Sequence, residues 1–114
     1  MRKLIYIAGP YTAEDIYQLR RNILQAERTG REVFQRGYIP VIPHSLGDAM
    51  ETGKHFEHFQ HQDWMQKLCL PLLSRCDGIL MMQGWQQSKG SRMEFEFAQN
   101  NNMPVFFSAE RIRF

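Results

Sequence analysis

Behind the apolar run CDGILMM, residues 76 to 82, the chain continues QGWQQSKGSRMEFEFA, residues 83 to 98. Ser88, Gly90 and Ser91 are small residues before or within a helix start, where open backbone N–H groups make a natural anion site. Glu94 lies one turn further on and would face whatever that anion anchors. A carboxylate so placed can attack an electrophilic carbon. The competing reading is structural: Ser91-Arg92-Met93-Glu94 also has the form of a capping box, in which the glutamate reaches back to the cap. Glu96 lies about 200° around the helix from Glu94, so the two cannot share one pocket; location favours Glu94. Trp85 in the same segment either stacks on a base or sugar or closes the core.

Other residues are weighed in the same way. AGPYTA, residues 8 to 13, lacks both GxGxxG and GxxxxGK[ST], so neither dinucleotide nor P-loop chemistry is supported. Gly9 there would let backbone approach a ligand, and Tyr6 and Tyr11 could hydrogen-bond one or serve the core. His44 follows the second apolar strand directly and is a candidate ligand contact. His55, His58 and His61, with Glu57 and Asp63, resemble a metal cluster. Their spacing spreads three rings over about 120° of helix surface, however, and HExxH is absent. A solvated helix start or loop is expected there, with no metal site. Cys69 and Cys76 form no CxxC and are expected to be reduced and semi-buried.

The elements that must position these residues alternate. KLIYIA (3 to 8) reads as a buried strand stopped by Gly9-Pro10, and residues 13 to 36 as an amphipathic helix capped by Thr12 and stopped at Gly37. YIPVIP is a second strand, with Pro40 pointing to a sheet edge. Residues 44 to 57 look like a long functional loop. Residues 58 to 74 predict a helix with Phe59, Trp64, Leu68, Leu72 and Leu73 inward. GILMM, a helix over 91 to 102, and MPVFF complete the chain. The expectation is an α/β fold: a flavodoxin- or Rossmann-like doubly wound parallel sheet of four to five strands with three main helices. Ligands in such sheets bind beyond the carboxyl ends of the strands. That rule selects AGPYTA, PHSLGD and QGWQQSKGS and sets Asp77 aside as structural.

With 114 residues the chain is read as one domain, 1–114. A net charge of +2 is too mild for a duplex nucleic acid or membrane binder, yet compatible with a small anion. The N-terminal apolar run is too short for a signal peptide, and nothing approaches the ~20 apolar residues of a membrane span. The expected location is cytoplasmic.

Taken together, YIAGPY, a long helix carrying Asn22, IPH after strand two and CDGILMMQGWQQSKGSRMEFEFA resemble the nucleoside 2-deoxyribosyltransferase superfamily. More closely, the chain looks like its small bacterial and phage branch and also resembles the deoxynucleoside 5′-monophosphate N-glycosidases; the likeness covers residues 3 to about 107. The resemblance implies that Glu94 attacks the anomeric carbon of a deoxyribosyl group, that Tyr6 orients it, and that a covalent ester then passes to water or a second base. It implies a 5′-phosphate at Ser88, with Gly9, Gly90 and Ser91 around sugar and phosphate, and His44 and Trp85 near the base. The family's first-loop Ser and Arg are Pro10 and Thr12 here, which leaves Lys89, Arg92 or a neighbouring subunit to meet the phosphate. The family's base-protonating Asp falls on Cys69, with Asp63 as the substitute. The implied partner is a small nucleotide or nucleoside, without cofactor, in a homodimer or larger assembly. Two rivals remain from the residues: a nucleotide-sensing module without catalysis, and a metal-dependent phosphohydrolase built on His55–His61.

Overall fold

The structure is a computed structural model and describes residues 1–51 and 64–114. Four strands, β1 (Leu4–Ala8), β2 (Ile39–Val41), β3 (Gly78–Met81) and β4 (Val105–Phe106), form one parallel sheet in the order β2-β1-β3-β4. Leu4 pairs with Ile39, Ile5 with Gly78, and Ile79 with Val105. Parallel neighbours require crossovers, and helices supply them. α1 (Ile16–Gln35) links β1 to β2, and α4 (Lys89–Asn100) links β3 to β4. Between β2 and β3 run α2 (Pro43–Glu51), a π-helical turn (Met65–Cys69) and the short α3 (Leu70–Leu73). The chain steps from β1 outward to β2, then returns past β1 to β3. The switch point, and hence the crevice, lies between the carboxyl ends of β1 and β3.

Alternation along β1 sends its side chains to two cores. Ile5 and Ile7 join Ala26 and Val33 of α1, with Leu80 and Phe106. Tyr6 and Ala8 join Met65, Cys69 and Leu73 on the opposite face, together with Ala98 of α4. α1 therefore covers one face of the sheet, and α3 and α4 the other. Each fully buried Ile or Leu contributes roughly 1.5–3 kcal/mol. Asp77 lies at the far edge, where its carboxylate accepts from the Leu4 N–H at 2.7 Å and its own N–H donates to the Leu4 carbonyl at 2.8 Å. It ties the entry of β3 to that of β1.

Four departures from the sequence reading have local causes. Residues 44 to 51, part of the stretch read as loop, are helical, so the described residues hold four helices rather than three. Pro43 begins α2 with its backbone angle already set. Leu46 and Met50 are 39 % and 48 % exposed, so no apolar stripe points inward to give the period away. α1 is capped by Asp15, whose carboxylate accepts from the Gln18 N–H at 2.8 Å, rather than by Thr12. In the third helical segment the buried stripe is Met65, Cys69 and Leu73, while Trp64, Leu68 and Leu72 are half-buried. A π turn, closed by the Leu70 N–H on the Met65 carbonyl, stands just before Pro71, whose ring would crowd the preceding turn of an α-helix. Finally, α4 starts at Lys89 with Ser88 as its cap. The first helix does stop at Gly37, with φ 95°, and β2 is an edge strand carrying Pro40. Both cysteines are free and buried.

Candidate active site

The start of α4 decides what Glu94 does. Ser88 has extended backbone and its hydroxyl accepts from the Ser91 N–H at 3.2 Å. Ser88 thus occupies the cap that the sequence offered to Ser91, and Glu94 stands a full turn beyond capping reach. Its side chain turns inward instead. Glu94 is 5 % exposed and its carboxyl accepts a hydrogen bond from the Tyr6 hydroxyl, whose ring is wholly buried on β1. Burial pushes the Glu94 carboxyl up to about 8, against the pull of the Tyr6 hydrogen bond. Burial likewise raises Tyr6 well above its ordinary value, and the nearby Glu94 charge adds to this. Cys69 completes the group from the π turn. Burial and the Glu94 charge push its thiol up to about 12, so it stays protonated. Glu96 is exposed on the other side of α4.

Glu94 and Cys69 line a cleft at the carboxyl edge of the sheet, and the buried Tyr6 reaches it through its hydrogen bond to Glu94. Gly9, Tyr11 and Thr12 line it from the loop after β1, and Pro43 and His44 from the start of α2. Trp64, Met65 and Cys69 line it from the third helical segment, and Ser88, Gly90, Ser91 and Glu94 from the start of α4. The enclosed volume is about 50 Å³, room for one or two waters, so any larger ligand must also extend through the mouth. Where the first turn of α4 opens on the cleft, its N–H groups and the positive end of the helix dipole favour an anion.

His44 is 3 % exposed, and its Nε2 lies 3.1 Å from the Gly9 carbonyl and 3.0 Å from that of Pro10. Two carbonyls can only accept, so Nε2 carries the proton. Burial holds the imidazole below its ordinary value, the two carbonyls pulling the other way. Gly9 contributes its carbonyl to His44, and a Cβ there would lie 2.5 Å from the end of the Met82 side chain and 3.1 Å from its Cβ. Tyr11 meets His44 edge-on at 5.6 Å and lies parallel to Trp64 at 6.3 Å. The Asn22 amide donates to the Tyr11 carbonyl at 3.0 Å and steadies this loop. Two buried polar atoms lack partners among the described residues: His44 Nδ1 and the Ser91 hydroxyl.

Of the residues singled out from sequence, Tyr6, Gly9, His44, Ser88, Gly90, Ser91 and Glu94 are brought together here. Trp85 is not among the lining residues; it packs on Phe95 at 4.6 Å and near Phe107 at 6.4 Å. Asp63, like His55, His58 and His61, lies outside the described residues. Among those described, no group of three metal-ligating side chains forms. Lys89 is exposed, and Arg92 donates to the Gln86 carbonyl at 2.7 Å, bracing the loop before the cap. Trp64 and Met65 are cleft residues that the sequence reading did not single out as such, while Cys69 was named only as the position of the family's acid. The available signal was topological: a helix leading into a parallel strand begins at the carboxyl edge, so its first turn faces the ligand.

Among the described residues no helix is long and apolar enough to cross a membrane. No curated protein matches the chain. Residues 3–107 match the family described as Domain of unknown function (DUF4406), and the chain belongs to that family.

Proposed function

We propose that this protein cleaves the N-glycosidic bond of a nucleoside or deoxynucleoside 5′-monophosphate, with Glu94 as nucleophile. One observation carries the reading. A buried carboxyl, gripped by the Tyr6 hydroxyl, stands on the same cleft as the open start of α4. In the proposed reaction the phosphate sits at that helix start by Ser88 and Gly90. A Glu94 oxygen bonds to the anomeric carbon as the carbon–nitrogen bond breaks, and that electron pair leaves with the base, which gains a proton. Asp63 is the candidate donor. Water, or a second base, then displaces Glu94 from the sugar. Burial keeps Glu94 largely as the neutral acid at pH 7. A cationic, oxocarbenium-like transition state favours its ionised form, which ties the charge of the carboxylate to the moment it is needed. No metal or cofactor enters the proposed steps, and a homodimer or larger assembly is part of the proposal.

The second reading, a nucleotide-sensing module without turnover, draws support from Cys69. A thiol held up to about 12 is a poor proton donor at the position where the resemblance calls for an acid. Purified wild type and Glu94→Ala, incubated with ribo- and deoxyribonucleotides and nucleosides, separate the two. Free base from wild type alone, unaffected by EDTA, supports the glycosidase. Thermal stabilisation by a nucleotide with no free base supports the sensor, and base or phosphate release abolished by EDTA supports metal-dependent chemistry.

A further inference from the structure

The His44 ring is fixed by its surroundings in one tautomer. Nε2 donates to the Gly9 and Pro10 carbonyls, so Nδ1 presents a lone pair. That atom is buried without a partner among the described residues, on a ring that lines the cleft. Leaving such an acceptor unmatched is costly, so a bound group that satisfies it is favoured. The lone pair also repels a phosphate or carboxylate oxygen. Protonation would remove that repulsion, but burial holds His44 below its ordinary value. The polarity at this point is opposite to that of the α4 helix start, where N–H groups invite an anion.

We propose that His44 is a specificity-determining residue whose Nδ1 accepts a hydrogen bond from a neutral N–H or O–H group of the ligand. The cleft then reads two chemistries at once, an anion at the start of α4 and a hydrogen-bond donor at the start of α2. A ligand that carries the anion but lacks the donor leaves Nδ1 buried and unpaired, and is rejected. The choice of nucleotides as probes rests on the functional reading above.

Calorimetric titration of the whole chain tests this with pairs that differ by one donor. They are adenosine against purine riboside 5′-monophosphate, guanosine against inosine 5′-monophosphate, and guanosine against 2′-deoxyguanosine 5′-monophosphate. Wild type is expected to lose roughly tenfold or more in affinity for one such deletion. Two variants divide the ring's tasks. His44→Asn keeps an amide oxygen near the Nδ1 position and should retain the preference. His44→Gln reaches the Nε2 position, can still hold the two carbonyls, and should lose it. Nitrogen NMR of unliganded wild type should show Nε2 protonated and Nδ1 bare, and this needs no variant to fold. Equal binding within all three pairs, a preference that survives in His44→Gln, or an Nδ1–H tautomer would overturn the inference. A preference without base release leaves the inference standing and counts against the glycosidase; base release without any preference does the reverse. Absence of binding by every nucleotide counts against both.

Discussion

Replacing Glu94 by glutamine keeps the shape of the side chain and an acceptor for the Tyr6 hydroxyl, and removes one titration. The carboxyl has a folded value of about 8 against an unfolded value of 4.5. Between these values the folded chain holds a proton that the unfolded chain has released. Stability therefore falls as pH rises, by about 1.4 kcal/mol per pH unit well below 8 and less on approaching it. From pH 6.5 to 8 the loss is about 1.5 kcal/mol. The neighbouring groups do not obscure it. Cys69 and Cys76, raised to about 12 and about 11, titrate above the window. His44, lowered on folding, acts in the opposite sense and mostly below 6.5, and it is present in both proteins. Urea denaturation followed by tryptophan fluorescence at pH 6.5, 7.2 and 8 gives the two profiles. Wild type should lose about 1.5 kcal/mol more than Glu94→Gln over that range. Parallel profiles would refute the reasoning, because they would mean that Glu94 is ionised when folded and that its burial costs nothing.

The same proton should govern turnover: kcat/KM should rise with pH through an acid limb near 8, since only the ionised carboxylate attacks. Tyr6→Phe removes a hydrogen bond worth about 1.5–3 kcal/mol to the charged form and should move that limb upward by about one to two pH units; an unmoved limb would disconnect Tyr6 from the carboxyl. Ser88→Ala should destabilise by about 1 kcal/mol through loss of the α4 cap, whereas Ser91→Ala, which deletes a buried hydroxyl without a partner among the described residues, should be neutral or stabilising by denaturation. The reverse order would restore Ser91 as the cap. Gly47→Ala would bring a Cβ to 2.9 Å from the Trp64 ring and 3.2 Å from the Tyr11 hydroxyl. It should cost about 1 kcal/mol or more despite alanine's better helix propensity, with a change in tryptophan emission; a gain in stability would show that Trp64 is free to move aside.

The alternating apolar runs made the parallel sheet legible, because strands buried on both faces are apolar throughout while their helices carry a single stripe. The carboxyl-edge rule then led from the sheet to His44, Ser88 and Glu94. What sequence could not resolve was phase and partner. Ser88 and Ser91 are both good caps three residues apart, and only the position of α4 against β1 decides between them. Moving the cap by three residues changes Glu94 from a capping residue into a buried acid bonded to Tyr6. Trp85, whose place after β3 allowed either ligand stacking or core closure, takes the second role and packs on Phe95 and near Phe107. α2 was hidden by Gly47, a loop signal that here allows Trp64 and Tyr11 to pack close. The π turn before Pro71 altered the phase of the third segment and brought Cys69 beside Glu94.

The central claim is that Glu94 becomes covalently attached to a sugar, and intact-mass measurement of the acid-quenched protein tests it most directly. Wild type mixed with the nucleotide that yields free base should gain the mass of one sugar phosphate less one water, on a peptide that contains Glu94. Free base without any adduct on that peptide, or the same adduct on Glu94→Ala, would contradict the account.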